Sequence, residues 1–200
     1  VASILLSNGG GMEPWAEKLS ETSQEKKATF VETGEGRFSV QRANGHTDPH
    51  FWLDPVLAQS HVRKIKETLI KLDPQGQAAY EKNAESYIEQ LKKLDDEYKV
   101  LAQTSKGSSF ITMHSAFGYL AKRYDWKQIP LMGLAPHAEP NPAQIAKIMQ
   151  TTQDRDIKYI FVEPNVSDKI MKEIASETNT QILTLVTLEG PREGNHSYIE

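Results

Sequence analysis

Eight consecutive residues, Asp48-Pro49-His50-Phe51-Trp52-Leu53-Asp54-Pro55, join a candidate metal ligand to unusual backbone stiffness. Each proline fixes its own φ and pushes the residue before it out of the helical region. His50 is therefore expected on a short extended arm beside Phe51, Trp52 and Leu53, and a helix is expected to begin after Asp54 with Pro55 in its first turn. A histidine standing alone reads as a partly buried ring hydrogen-bonded to backbone. This one has company: His114, Glu163 and Glu189 each stand at or just past the carboxyl end of an apolar, strand-like run. Imidazole nitrogens with one carboxylate and no thiolate suit a tetrahedral Zn2+, with Zn–N of about 2.0 to 2.1 Å, whereas Mn2+ favours more oxygen ligands.

The elements that must position these groups follow from hydrophobic periodicity. Residues 1–6 are a short β-leaning run that breaks at Gly9-Gly10-Gly11 and passes into a helical start with Pro14 in its first turn. A glycine turn before a helix can cradle phosphate, but the spacing is not the dinucleotide fingerprint and Glu13 would repel an anion. The expectation is a plain strand-to-helix connection that uses glycine for positive φ. Residues 21–44 are polar, with one short strand expected at 37–40. Val56, Leu57, Val62, Ile65, Leu69 and Ile70 then recur at helical spacing until Asp73-Pro74. Beyond it Tyr80, Ala84, Tyr87, Leu91, Leu94, Tyr98 and Leu101 form one apolar stripe on a helix of roughly 30 residues, against about 11 to 12 for an average helix.

From residue 109 onward the chain alternates. Strands are expected at 110–114, 129–134, 157–162 and 181–186, and helices at 116–124, from Pro142 to about 153, and from Asp168. Strands alternating with helices imply βαβ units and a parallel sheet, in which ligands sit beyond the carboxyl ends of strands.

Composition narrows the partners. In 200 residues, 23 basic side chains face 27 acidic ones, so no broad positive field exists to attract nucleic acid or an anionic membrane. The absence of cysteine removes disulfides, thiolate zinc sites and cysteine nucleophiles. No apolar run is long enough to cross a bilayer, and the start at Val1 lacks the basic region and cleavage site of a signal peptide.

Taken in order, Asp48 to Pro55, then His114-Ser115-Ala116-Phe117-Gly118-Tyr119-Leu120, Glu139-Pro140, Phe161-Val162-Glu163-Pro164 and Leu188-Glu189-Gly190 resemble the zinc and manganese solute-binding proteins of bacterial ABC importers. The resemblance runs over nearly the whole chain. It implies an α/β fold of two pseudo-symmetric lobes with parallel sheets, joined by one long rigid helix, with the metal in the cleft between the lobes. The corresponding division is a partial first lobe at 1–73, a linking helix at 74–105 and a second lobe at 106–200. By position, His50 matches the ligand of the first lobe, His114 the ligand after the first strand of the second, and Glu189 the carboxylate that completes the site in some zinc-type members. The family's remaining histidine ligand and its closing helix fall outside these residues, so a piece of a longer protein with three of four ligands is expected. Manganese-type relatives carry glutamate where His114 stands, which turns the expectation to Zn2+, with Mn2+ the alternative.

Glu189 competes for its place with water or with a residue elsewhere in the parent protein. Glu163 is expected to orient a ligand histidine rather than bind metal itself, and His137 lies in a loop that could face the cleft. His46 precedes the arm where zinc-type relatives often have a histidine-rich loop, and His61 and His196 read as solvated surface residues. The function implied is capture of Zn2+ outside the cytoplasmic membrane and delivery to an ABC permease. The protein would be a monomer, periplasmic or extracellular, and membrane-tethered in its parent form, without nucleic-acid partners and without turnover. A mononuclear zinc hydrolase is the enzyme alternative, but the chain has neither a His-Glu-x-x-His helix nor a Gly-x-Ser-x-Gly elbow. Adhesion, described for some relatives, is the third reading.

Overall fold

The apolar runs near the start pair as parallel strands β1 (Ile4–Ser7) and β2 (Thr29–Glu32), with Ile4 opposite Thr29 and Ser7 opposite Glu32. A computed structural model describes residues 3–16, 18–19, 28–36, 47–134, 140–164, 166–189 and 198–199. The strand expected at 37–40, and His46, His137 and His196, lie outside the described residues. The chain divides into two compact units, Val1–Glu97 and Tyr98–Glu200.

In the first unit, helix α1 (Pro55–Leu72) starts where the proline and the aspartate require. Asp54 is extended, and its Oδ1 accepts from the backbone N–H of Val56 at 2.9 Å and of Leu57 at 3.2 Å, two donors that a helix start leaves unpaired. The arm before it is not extended. Phe51–Leu53 close a 3-10 turn, with Leu53 N–H donating to His50 O at 3.3 Å and Asp54 N–H to Phe51 O at 3.2 Å. The prolines constrain only Asp48 and Asp54, and the apolar residues between them gain more by tucking Phe51 fully inside. Helix α2 (Gln77–Ser105) follows a 3-10 turn at Pro74–Gly76 and is 29 residues long. Its stripe buries Ala84 and Leu91, yet Leu101 is 52% exposed and the charged Asp95 is buried instead.

The second unit begins with the end of α2. Tyr98 stacks on Tyr124 at 5.1 Å and meets Trp126 edge-on at 6.0 Å, and the Trp126 indole N–H donates to Ser105 Oγ at 2.9 Å. Then follow β3 (Ser109–Thr112), α3 (Gly118–Arg123), β4 (Lys127–Pro130), α4 (Pro142–Asp154), β5 (Tyr159–Val162), α5 (Lys169–Thr178) and β6 (Gln181–Thr184). The strands form one parallel sheet in the order β4-β3-β5-β6. Ile111, Met113, Ile160 and Val162 of the sheet region pack with Ile148 of α4 and with Met171 and Ile174 of α5. α4 carries a full capping box: Asn141 Oδ1 accepts from Gln144 N–H at 3.0 Å, and Gln144 Oε1 accepts from Asn141 N–H at 2.8 Å. β4 starts two residues before the expected position, because Lys127 N–H already pairs with Ser108 O at 2.8 Å. Periodicity within one strand does not say where its neighbour begins.

The two units repeat one hydrogen-bond frame. Thr29 N–H donates to Ser3 O, Thr33 N–H to Ser7 O and Gly34 N–H to Asn8 O; in the second unit Lys127 N–H donates to Ser108 O, Leu131 N–H to Thr112 O and Met132 N–H to Met113 O. Ser7 and Thr112 are thus equivalent positions, and Gly9 is the equivalent of His114.

His61 is not a solvated residue. Its ring lies flat on Phe51, with centroids 4.3 Å apart and planes at 6°, and its Nδ1 is 2.7 Å from Thr33 Oγ1. Burial lowers its pKa from 6.5 to about 4. The unfolded chain takes up this proton first as pH falls, so the stabilisation is present above pH 6.5 and is lost progressively as pH falls from 6.5 toward 4. Denaturation midpoints measured across that window should fall for the natural sequence and show a shallower pH slope for His61→Phe.

Candidate metal centre

His50 is 1% exposed and is held from below by Asp48, which is fully buried. One oxygen, Asp48 Oδ1, accepts both the backbone N–H of His50 at 3.0 Å and its ring Nδ1 at 2.7 Å. A carboxylate accepts only, so Nδ1 carries the proton and Nε2 keeps its lone pair for another partner. The orienting role of the Asp48 side chain is not foreseen from the sequence, although the Asp-Pro-His order carries its local signal. Proline holds the aspartate extended, and an aspartate side chain characteristically accepts from the backbone two residues on.

The loop after β1 braces this arm. Asn8 Nδ2 donates to Pro49 O at 3.0 Å, beside His50. The Glu13 carboxylate accepts from Asn8 N–H at 3.0 Å and Gly9 N–H at 3.1 Å, so the donors that would cradle a phosphate are filled by the chain's own anion. Gly9 stands at φ +85°, and a Cβ there would come within 3.0 Å of the Glu32 carboxyl carbon.

In the second unit β3 and β5 are adjacent parallel strands, so the residues past their carboxyl ends meet. His114 lies two residues after β3 and Glu163 directly after β5. The pair repeats the device of the first unit. Glu163 Oε1 accepts the backbone N–H of His114 at 3.3 Å and its ring Nδ1 at 2.7 Å, with His114 fully buried and Glu163 4% exposed. Nε2 is turned to Glu189, whose Oε2 is 3.4 Å away and whose side chain is 17% exposed. Leu188 before it stands at φ 61°, a strained turn for a residue with a Cβ, which redirects the chain after β6.

Burial alone would pull the His114 imidazole down. Hydrogen bonding of the ring to Glu163 and Glu189, then the charges of the same two carboxylates, outweigh it and push the pKa from 6.5 up to about 9. A group of this kind holds a proton at neutral pH, and a divalent cation that meets the same carboxylates with the Nε2 lone pair would replace that proton. The donor set of imidazole Nε2 and carboxylate oxygen, with Nδ1 of each histidine already satisfied, fits zinc chemistry. The structure therefore groups His114, Glu163 and Glu189 in the second unit and His50 with Asp48 in the first. His137, a further sequence candidate, lies outside the described residues.

Comparison with known proteins bears on this arrangement. A family model described as zinc-uptake complex component A, periplasmic, matches residues 1–200. The high-affinity zinc uptake system protein ZnuA of Bacillus subtilis is 36% identical over 203 residues, covering 94% of this chain and 64% of that protein. The zinc-binding lipoprotein AdcA of Streptococcus pneumoniae is 33% identical over 206 residues, covering 96% of this chain and 41% of that protein. The chain thus spans less than two thirds of either. Among solved structures, Streptococcus pneumoniae AdcAII superposes with a TM-score of 0.91 at 29% identity, over 100% of this chain and 75% of that one. The laminin-binding protein of Streptococcus agalactiae, described as a bifunctional protein with adhesin and metal transporting activity, gives 0.89 at 32% identity over 99% and 75%.

The stabilisation linked to His114 has the opposite sign to that of His61. It is complete below pH 6.5 and is lost as pH rises through about 9. In metal-free protein, the His114 ring followed by NMR should titrate near pH 9, and Glu163→Gln should bring that midpoint back toward 6.5.

Proposed function

This chain belongs to the family of zinc-uptake complex component A, periplasmic, and from that premise we propose that the longer protein captures Zn2+ outside the cytoplasmic membrane and delivers it to an ABC permease. The ion is cargo, and His50, His114 and Glu189 are its ligands in this chain. Asp48 and Glu163 fix the two imidazole rings.

The observation that carries the reading is the paired device: in each unit one buried carboxylate oxygen holds both the ring Nδ1 and the backbone N–H of a histidine, leaving Nε2 for a metal. Metal-ligating histidines commonly give their other ring N–H to a carboxylate, which fixes the tautomer and raises the basicity of the ligating nitrogen. Buried histidines kept for packing alone have no need of that arrangement twice. Nitrogen ligands and a single carboxylate favour Zn2+ over Mn2+.

The likeness to ZnuA and AdcA supports zinc as the cargo and an extracytoplasmic, lipid-anchored setting for the parent protein. Among the described residues no helix is long and apolar enough to cross a membrane. The division into a first lobe at 1–73, a linking helix at 74–105 and a second lobe at 106–200 is the organisation we assign to the proposed carrier, acting as a monomer and without chemical turnover. The likeness to a laminin-binding protein supports adhesion as a second activity of exposed faces.

Zinc titration of the full-length protein by calorimetry checks the assignment. His50→Ala and His114→Ala should each lose more than the roughly 10–100-fold expected for Asp48→Asn and Glu163→Gln, which remove orienting partners rather than ligands. Zinc affinity unchanged in both alanine variants would sink the ligand assignment, and a preference for Mn2+ over Zn2+ at equal supply would replace the cargo.

A further inference from the structure

The main chain of His114 is held as well as its ring, by Thr112 and Gln128. The His114 carbonyl oxygen accepts from Thr112 Oγ1 at 2.8 Å and from Gln128 Nε2 at 2.9 Å, and the same Gln128 nitrogen lies 2.8 Å from Thr112 Oγ1. The proton count closes. The single Thr112 hydroxyl proton goes to His114 O, so Thr112 Oγ1 accepts one Gln128 amide proton and His114 O takes the other. Gln128 Oε1 is buried without a hydrogen-bond partner among the described residues. The amide is therefore kept in this orientation against the cost of an unsatisfied oxygen, because the flipped amide would set oxygen against the His114 carbonyl.

The repeated frame of the fold supplies a control. Phe30 pairs with Leu5 in the first unit as Gln128 pairs with Phe110 in the second, which makes Phe30 the equivalent of Gln128. Ser7 is the equivalent of Thr112, and Gly9 of His114. The first unit has no histidine at this strand end and no such network: Phe30 carries no donor, and Ser7 Oγ is buried without a hydrogen-bond partner among the described residues. The polar triangle accompanies the histidine rather than the strand.

We infer that Thr112 and Gln128 are positioning residues for zinc binding, fixing the His114 backbone so that its imidazole meets the metal already in place. This deepens the zinc-capture reading and rests on His114 being a ligand. With ring, N–H and carbonyl all anchored, His114 has less freedom to lose when the metal binds, and the direction of its Nε2 is restricted. A metal with short, directional bonds gains most from that.

The test compares Thr112→Val, Thr112→Ser, Gln128→Leu and His114→Ala in the full-length protein. Zinc affinity is measured by competition with a chelator, ligand geometry by the visible spectrum of the Co2+ form, and folding by thermal denaturation. Thr112→Val and Gln128→Leu should each weaken zinc by about tenfold, the lower end for outer-shell partners, and shift the Co2+ spectrum. Thr112→Ser, which keeps the donor, should retain both. Wild-type affinity and spectrum in Gln128→Leu, or equal losses in Thr112→Ser and Thr112→Val, would overturn the positioning role while a collapse in His114→Ala left the ligand reading standing. Wild-type affinity in His114→Ala would remove the ligand reading itself.

Discussion

One carboxylate oxygen shared between a histidine ring N–H and the N–H of the same residue's backbone is the interaction on which the functional part of this structure depends. Asp48 does this for His50, and Glu163 does it for His114. The geometry is economical because a single acceptor fixes χ angles, tautomer and main chain together. It is also exacting, since both carboxylates are almost fully buried and would be costly there without those donors. A buried carboxylate that takes both hydrogen bonds from one histidine ties correct placement of that histidine to folding.

On the zinc-capture reading, the same carboxylates would set a competition between proton and metal. Glu163 and Glu189 raise the proton affinity of His114 well above that of a free imidazole. They offer the same negative field to a divalent cation, which carries twice the charge and gains correspondingly more. On the same reading, a proton would take part of the cation's place when it leaves. That suits the proposed carrier, which must exist both loaded and empty.

Repetition of one strand frame with different contents explains how the two units divide the work. Equivalent backbone hydrogen bonds join β1 to β2 and β3 to β4. At the strand end of the first unit stands Gly9, with its N–H taken by Glu13. At the equivalent point of the second stands His114. The first unit instead holds His50 in the turn before α1, where Asp48 and the proline pair position it. Near-equivalent scaffolds thus present chemically different ends, because strand pairing fixes backbone and leaves the residue beyond the last pair free to vary.

Much of this was legible in the amino-acid order. Proline after aspartate or asparagine marked the starts of α1 and α4, because a fixed φ and a short acceptor side chain leave little choice. The 29-residue α2 was legible from its stripe, and so was the placement of His50, His114, Glu163 and Glu189 beside stiff turns and strand ends. What tertiary structure alone decided are the relations between residues far apart in sequence. Glu163 reaches His114 because β3 and β5 are neighbours in the sheet, a pairing that no local pattern encodes. Burial holds the pKa of His61 down, and Phe51 lies across its face. Gln128 holds the His114 carbonyl because β4 begins opposite Ser109, two residues earlier than its own periodicity suggests. Local sequence determines backbone preferences through sterics and short-range hydrogen bonds. Proton affinities and ligand orientation depend on which charges and rings are brought within a few ångströms, and only the folded chain decides that.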